Sequence, residues 1–488
     1  MTAGGPPEES LDPRSWEELR ALGHRMVDDM LAYLEQVRER PAWQPVPDTT
    51  RTLLSRPAPR APEGADRAYA EFVEHILPYP LGNIHPRFWG WVIGTGTPFG
   101  ALAEMLGATM NPNVGGGDHV ANYVERQVVD WCREIMGFPV EASGLLVSGG
   151  SMANLVGLAV ARNAQAGFDV RVHGVRAAPA PLTLYGSVEM HSSIQKAVEL
   201  MGLGSDALRL VPVTDQFEID VDALERMLAE DRAAGAVPFC IIGNAGTVNT
   251  GAIDDLARLA DIAAQEGLWY HVDGAFGSLA VLVPELAPRL AGMERADSLA
   301  FDLHKWMYVP FEAGCALVRD PRAHRDTFSL TPGYLVHAER GAAGGELWFS
   351  ELGIQLSRGF RALKVWLSFK EHGLDRYGRL IRQNVEQARY LEQLVRDAPD
   401  LELLAPVPLN IVCFRYRGAS GRADSLDALN RELLMRVQEQ GIAVPSSGTI
   451  RGRFAIRVAI TNHRSRREDF DVLVSEVRRI GRELEASA

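Results

Sequence analysis

Residues 238–276 read PFCIIGNAGTVNTGAIDDLARLADIAAQEGLWYHVDGAF. Two short apolar runs, PFCIIGNAG and LWYHVDGA, bracket DDLARLADIAAQEG, whose apolar residues recur at helical spacing. Strand, helix and strand in this order form a crossover unit, and a crossover connects parallel strands. The same alternation continues outward from about His85 to Asp320. PLTLYG, SLAFD and GCALVRD read as buried strands, while SMANLVGLAVARNA and the segment after His191 read as helices. Such a run predicts an α/β fold with a mostly parallel sheet covered by helices on both faces, here assigned to residues 85–373.

Two further regions flank it. In residues 1–84, Ser15-Trp16-Glu17-Glu18 has the spacing of a capping box, followed by a stripe of Leu19, Leu22, Met26, Met30 and Leu34. The proline-rich stretch from Pro41 to Gly64 then predicts an extended surface segment, because proline lacks a donor and breaks helices. A helix followed by an extended arm cannot bury its own stripe, so a partner subunit is the expected cover. In residues 374–488, helical patterns surround two apolar strands, NIVCFRYRG and RFAIRVAIT, which predicts a smaller α/β domain. The length suggests about three domains.

In open α/β sheets ligands bind beyond the carboxyl ends of the strands, so residues just after each strand matter most. Lys305 follows the strand SLAFD, among apolar neighbours that would desolvate its amine and favour the neutral, nucleophilic form. Asp273 ends LWYHVD and is followed by the small Gly274 and Ala275; a buried carboxylate there needs a cationic or N–H partner such as a pyridinium nitrogen. Ser148-Gly149-Gly150-Ser151 opens a helix, where free N–H groups and the helix dipole favour a phosphate; no Gly-Lys-Ser/Thr follows, so it is not a Walker loop. His191, after another strand, can stack on an aromatic ring. Taken singly these are a snorkelling lysine, a capping aspartate, a helix start and a surface histidine. Together they supply a phosphate cup, a stacking group, a ring-nitrogen partner and an imine lysine on one sheet edge, a combination that points to pyridoxal 5'-phosphate.

Composition narrows the rest. The net charge of -13 argues against a nucleic-acid or anionic-membrane partner. No apolar run approaches the roughly 18 residues that span a bilayer, and the polar, acidic start lacks the features of a secretory signal. Cys132, Cys240, Cys315 and Cys413 are scattered without metal-ligand spacing, which suits a metal-free protein of the reducing cytoplasm.

The motifs HSSIQKA, HVDGAFG and DLHKW carry a resemblance to the group II pyridoxal-phosphate decarboxylases, the family of aromatic-L-amino-acid decarboxylase and glutamate decarboxylase, from about Leu11 to about Leu484. The resemblance implies the fold-type-I transferase-like architecture and a homodimer with active sites at its interface. It implies that Lys305 bears the imine, Asp273 pairs with the pyridine nitrogen and His191 stacks on the ring. Gly150 and Ser151 would bind the phosphate, Ala275 would pack under the ring, His304 would lie near the phosphate, and Thr247 would reach the cofactor from its loop. Tyr334, in FSLTPGYLVHAERGAAGGELWF, takes the place of the family's proton-donating loop tyrosine, replaced by phenylalanine in related aldehyde synthases. Two residues depart from the family's pattern: Asp302 stands where aromatic-specific members have asparagine, and Val248 where a second threonine is common. The segment HPRFWGWVIGTGTP resembles the substrate-pocket segment, with Trp91 as a candidate wall, and His119 replaces a family proline. The implied reaction is decarboxylation of an L-amino acid, preferably aromatic; decarboxylation of an acidic or diamino acid, transamination and aldehyde synthesis remain alternatives.

Overall fold

In the computed structural model, residues 9–330, 338–418 and 423–487 are described. Strand β1 (Phe88–Trp89) precedes a seven-stranded sheet made of β2 (Ser143–Val147), β3 (Leu182–Ser187), β4 (Leu208–Val211), β5 (Val237–Asn244), β6 (Trp269–Asp273), β7 (Ser298–Asp302) and β8 (Gly314–Val318). Their order is β2-β8-β7-β6-β5-β3-β4. Only β8 runs against the rest, so the carboxyl ends of β2, β3, β5, β6 and β7 share one edge.

Apart from β4, whose Leu210 is exposed, the strands are almost wholly buried because both faces are covered. Cys315 and Leu317 of β8 join the core beneath helices Val120–Ile135, Val221–Ala233 and Leu256–Glu266. Ala316 and Val318 point the other way, towards helices Gly150–Gln165 and Ser193–Leu200. β7 splits likewise, Leu299 and Phe301 against Ala300, as the two-residue period of a strand requires. Every strand and helix expected from residues 182–318 forms. The short β2 and β4 were not anticipated, being only five and four residues long.

A second sheet has the order β1-β11-β12-β10-β9, with β9 (Leu401–Leu403), β10 (Ile411–Tyr416), β11 (Val444–Ile450) and β12 (Arg453–Ala459) antiparallel. The expected pair of apolar strands corresponds to β10 and β12. β11 reads VPSSGTI, with proline, serine and glycine in place of an apolar run, and β9 has three residues, so neither declared itself. β1 lies in this sheet too, parallel to β11. Helices Leu374–Asp397 and Arg467–Ser487 complete the second core through Leu391, Val395, Phe470, Leu473 and Val477.

The first helix spans Trp16–Glu35, and the Ser15 hydroxyl accepts the Glu18 N–H as the capping box predicts. Of its stripe only Leu22 is buried, while Leu19 and Met26 remain exposed. The proline-rich stretch departs from expectation: Asp48–Leu54 is helical. Pro47 caps that helix from outside and no proline occurs again until Pro57, so nothing in the interval forbids about two turns of helix. No described helix is long and apolar enough to cross a membrane.

Candidate active site

The carboxyl edge of the large sheet opens on a cavity of about 470 Å³ whose lining includes Gly149, Gly150, Ser151, His191, Asp273, Ala275, Asp302, His304 and Lys305. Seven of the eight cofactor candidates read from the sequence line it. Lys305, His191, Asp273, Gly150, Ser151, Ala275 and His304 meet around it, whereas Thr247 does not line it.

Each is placed by the end of a strand. Gly149 and Gly150 follow β2 and open helix Gly150–Gln165, whose first turn has no side-chain cap. Its leading N–H groups are therefore free to meet an anion. Glycine is required there by close approach: a Cβ on Gly149 would lie 3.3 Å from the His304 ring, and one on Gly150 would lie 2.9 Å from Asp302 Oδ2.

Asp273, the last residue of β6, is 5% exposed. Its Oδ1 accepts the Ala275 N–H at 3.1 Å and its Oδ2 accepts from Asn154 Nδ2 at 2.9 Å. Lys305 sits in the single turn Leu303–Trp306 after β7, with its Nζ 2.9 Å from Asp302 Oδ2. His191 exposes its ring to the cavity and accepts the Ser193 N–H on Nδ1 at 3.2 Å. Desolvation holds its pKa below the usual imidazole value; Asp273 opposes that shift and Lys305 adds to it. His304 is held down likewise by burial, while its Nδ1 accepts the Ala313 N–H at 3.1 Å.

Asp302 is 1% exposed and its Oδ1 has no hydrogen-bond partner. The carboxylate is thus balanced by Lys305 on one oxygen and faces the phosphate-type loop with the other. These residues fit pyridoxal phosphate: main-chain donors at an uncapped helix end, a buried carboxylate behind them, an imidazole face and an amine. The one element out of keeping is the carboxylate of Asp302 beside the anion-binding end.

The substrate candidates are placed differently. Trp91 was expected to form a wall of the substrate pocket, as alternation along a strand FWGW would allow, but β1 ends at Trp89 and Trp91 takes a left-handed backbone, φ +52°. That turn breaks the alternation: Trp91 is 52% exposed and off the cavity, and its neighbours Val92 and Ile93 line it instead. His119 stands at the start of helix Val120–Ile135, bonded through Nε2 to the Asn113 carbonyl at 3.1 Å, and does not line the cavity either. Thr247 Oγ1 is tied to Thr250 Oγ1 at 3.1 Å. Tyr334 lies outside the described residues.

Sequence reasoning missed Asn154, Ser193 and Phe311 among the lining residues. Asn154 carried a legible signal: a polar side chain within the apolar run SMANLVGLAVAR, four residues past Gly150 and so on the same helix face. Phe311 carried none, since its place depends on a tilted contact with the His304 ring, with centroids 4.4 Å apart.

Comparisons with known proteins agree with this geometry. The family model described as the pyridoxal-dependent decarboxylase conserved domain matches residues 47–417. An aromatic-L-amino-acid decarboxylase of Bacillus atrophaeus is 33% identical over 97% of this chain and 97% of its own length. The crystal structure of Oryza sativa TDC with PLP and tryptamine superposes with a TM-score of 0.89, at 25% identity, over 97% of this chain and 100% of that one. That of Catharanthus roseus tryptophan decarboxylase in complex with L-tryptophan gives 0.86 at 26% identity, over 97% and 100%. The extent of these matches means that the chain belongs to the pyridoxal-dependent decarboxylases, enzymes that remove the carboxyl group of amino acids with pyridoxal phosphate.

Proposed function

We propose that the chain converts an aromatic L-amino acid to its amine and CO₂ at this cavity, with Lys305 as the covalent anchor of the cofactor. The observation that carries the reading is the meeting of Lys305, Asp273, His191 and Gly150 around one cavity, each delivered by a different strand end. When bound, pyridoxal phosphate supplies an electron-withdrawing ring that takes up the electron pair left as the carboxyl group departs.

The chain's own groups divide the remaining work. Gly150 and Ser151 donate main-chain N–H groups to the phosphate at the helix end, with His304 close by. Asp273 would hold a proton on the ring nitrogen, and His191 and Ala275 would pack against the ring. The Lys305 amine turns from Asp302 towards the cavity to serve as anchor. Tyr334 delivers the proton to the substrate α-carbon. Thr247 remains a cofactor candidate through its loop, and Trp91 and His119 remain substrate candidates.

An aromatic substrate is supported by the names of the relatives and by the apolar lining of Val92, Ile93, Met152 and Phe311. A homodimer is supported by the exposed Leu19, Met26 and Leu31 of the first helix. Four free, buried cysteines suit the reducing cytoplasm.

A panel of aromatic, acidic and diamino acids incubated with cofactor-loaded protein tests the assignment. Equimolar amine and CO₂ from an aromatic amino acid are expected; a keto acid with pyridoxamine phosphate, or exclusive use of an acidic or diamino acid, would overturn it. Replacing Tyr334 by phenylalanine is expected to suppress amine release by about 10²–10⁴-fold and to divert product to the aldehyde. Unchanged amine release would remove Tyr334 from this role.

A further inference from the structure

Behind Asp273 runs a buried chain of hydrogen bonds whose direction is fixed at both ends. Trp269 Nε1, which can only donate, donates to Ser298 Oγ at 2.8 Å. The Ser298 hydroxyl is then free to donate to His271 Nδ1 at 2.8 Å, which leaves the ring proton on Nε2. That N–H donates to Asn154 Oδ1 at 2.9 Å. The amide nitrogen of Asn154 therefore faces forward, with one N–H on Asp273 Oδ2 at 2.9 Å and the other on Ser193 Oγ at 3.1 Å. Ser193 in turn directs its hydroxyl to His191 Nδ1 at 2.9 Å.

The far end demands the same direction, since an ionised Asp273 can only accept. A flipped Asn154 would set oxygen against oxygen at Asp273 and nitrogen against the N–H of His271. Asn154 is 1% exposed, and His271 and Ser298 are fully buried, so water offers no substitute partner. The helix comes close enough for this because residue 157 is glycine: a Cβ there would lie 2.7 Å from His271 Cε1.

We propose that Asn154 and His271 are positioning residues that hold the Asp273 carboxylate and the His191 ring in the orientations in which they meet the cofactor ring. The inference rests on the assignment of Asp273 and His191 given above and extends it to the residues that hold those two side chains in place. One amide thereby sets both the ring-nitrogen partner and the ring-face partner, and it is itself set from behind by a neutral imidazole. Burial holds the His271 pKa down to about 3, so the chain keeps one protonation state throughout the range in which a free histidine titrates.

The test compares cofactor-loaded wild type with His271→Leu, His271→Gln and Asn154→Ala. The glutamine amide nitrogen stands where Nε2 does and preserves the donor to Asn154, whereas leucine preserves only the volume. His271→Leu and Asn154→Ala are expected to weaken pyridoxal phosphate binding by about tenfold or more, the scale of one lost bond to a charged group. They should also diminish the visible circular dichroism of the bound cofactor and lower kcat with KM nearly unchanged, while His271→Gln restores affinity and dichroism towards wild type. Variants that lose only thermal stability, with cofactor affinity and dichroism of wild type, would overturn the inference; so would leucine performing as well as glutamine. Should His271→Leu fail to fold, Asn154→Ala carries the same test through the same two readouts. Wild type that binds no cofactor would sink the parent assignment and this inference with it, whereas wild-type binding with indifferent variants sinks this inference alone.

Discussion

On the cofactor side of the cavity, Gly150, Asp273 and Lys305 each stand at or just beyond the end of a buried strand of one sheet. The two substrate candidates, Trp91 and His119, stand off the cavity on turns outside that sheet, Trp91 with a left-handed backbone and His119 at a helix start. The first group inherits its geometry from the pairing of the sheet, which aligns the strand ends whatever follows them: Asn244 sits opposite Asp273 and Asp273 opposite Ala300 in parallel register, while β2, ahead of Gly150, is joined to the sheet through the antiparallel β8. The second group inherits its geometry from local turns, where a single residue's dihedral angles redirect everything after it. The proposed cofactor residues thus belong to the frame, and the proposed substrate residues to its attachments.

Asp273→Asn strikes the frame. The amide keeps the shape and still accepts from Ala275 or Asn154, yet it removes the negative charge proposed to hold a proton on the ring nitrogen. Turnover is expected to fall by about 10²–10³-fold while the cofactor still binds, the scale of one lost electrostatic stabiliser. Steady-state rates beside a cofactor titration check it. A rate within a few-fold of wild type would show that the strand-end carboxylate is not part of the chemistry.

Acid tests the frame through its support. The His271 pKa is lowered to about 3 by burial, below the 6.5 of an ordinary imidazole, so the unfolded chain takes up the proton first as pH drops. Its contribution to stability is complete above about pH 6.5 and is lost progressively as pH falls towards 3. At pH 5 that loss amounts to about 2 kcal/mol for this one group. Denaturant unfolding at pH 7 and pH 5 should therefore show a drop in stability that is smaller by about that amount in His271→Gln, which cannot titrate. An equal drop in both proteins would mean that His271 is already open to water.

Trp91→Leu strikes an attachment and should do least. With half its surface exposed and Val92 and Ile93 at the cavity wall instead, its loss is expected to change KM for an aromatic substrate by less than about tenfold and to leave kcat nearly intact. A collapse of kcat would erase the distinction between the two sides.

That distinction also explains what the sequence made legible. The strands from β3 to β8 announce themselves because both faces are buried, so their residues are continuously apolar and end abruptly at small or polar ones; β4 is the exception, too short to stand out. Asp273 and Lys305 could be read because each stands where such a run stops, and Gly150 because it opens an apolar helix. β11 could not, since a half-exposed strand containing Pro445 and Gly448 resembles a loop, and Trp91 was misdirected because alternation is a property of a strand that ends two residues earlier. Asn154 was legible in retrospect as a polar residue in an apolar helix, but its purpose required the distances to Asp273 and His271. Asp302 was singled out as a departure from the family; that it pairs with Lys305 and keeps an unpartnered buried oxygen is a fact of three dimensions.

The account rests most heavily on Lys305, and the chain makes its test clean, for it contains only four lysines: Lys196, Lys305, Lys364 and Lys370. Borohydride reduction of the cofactor-loaded protein, followed by digestion and mass mapping, reports directly which amine is bonded to pyridoxal phosphate. A pyridoxyl mass on the peptide holding Lys305, absent from the other three and absent altogether in Lys305→Ala, is the expected result. A label on Lys196, Lys364 or Lys370 instead, or no label on a yellow, active protein, would contradict it.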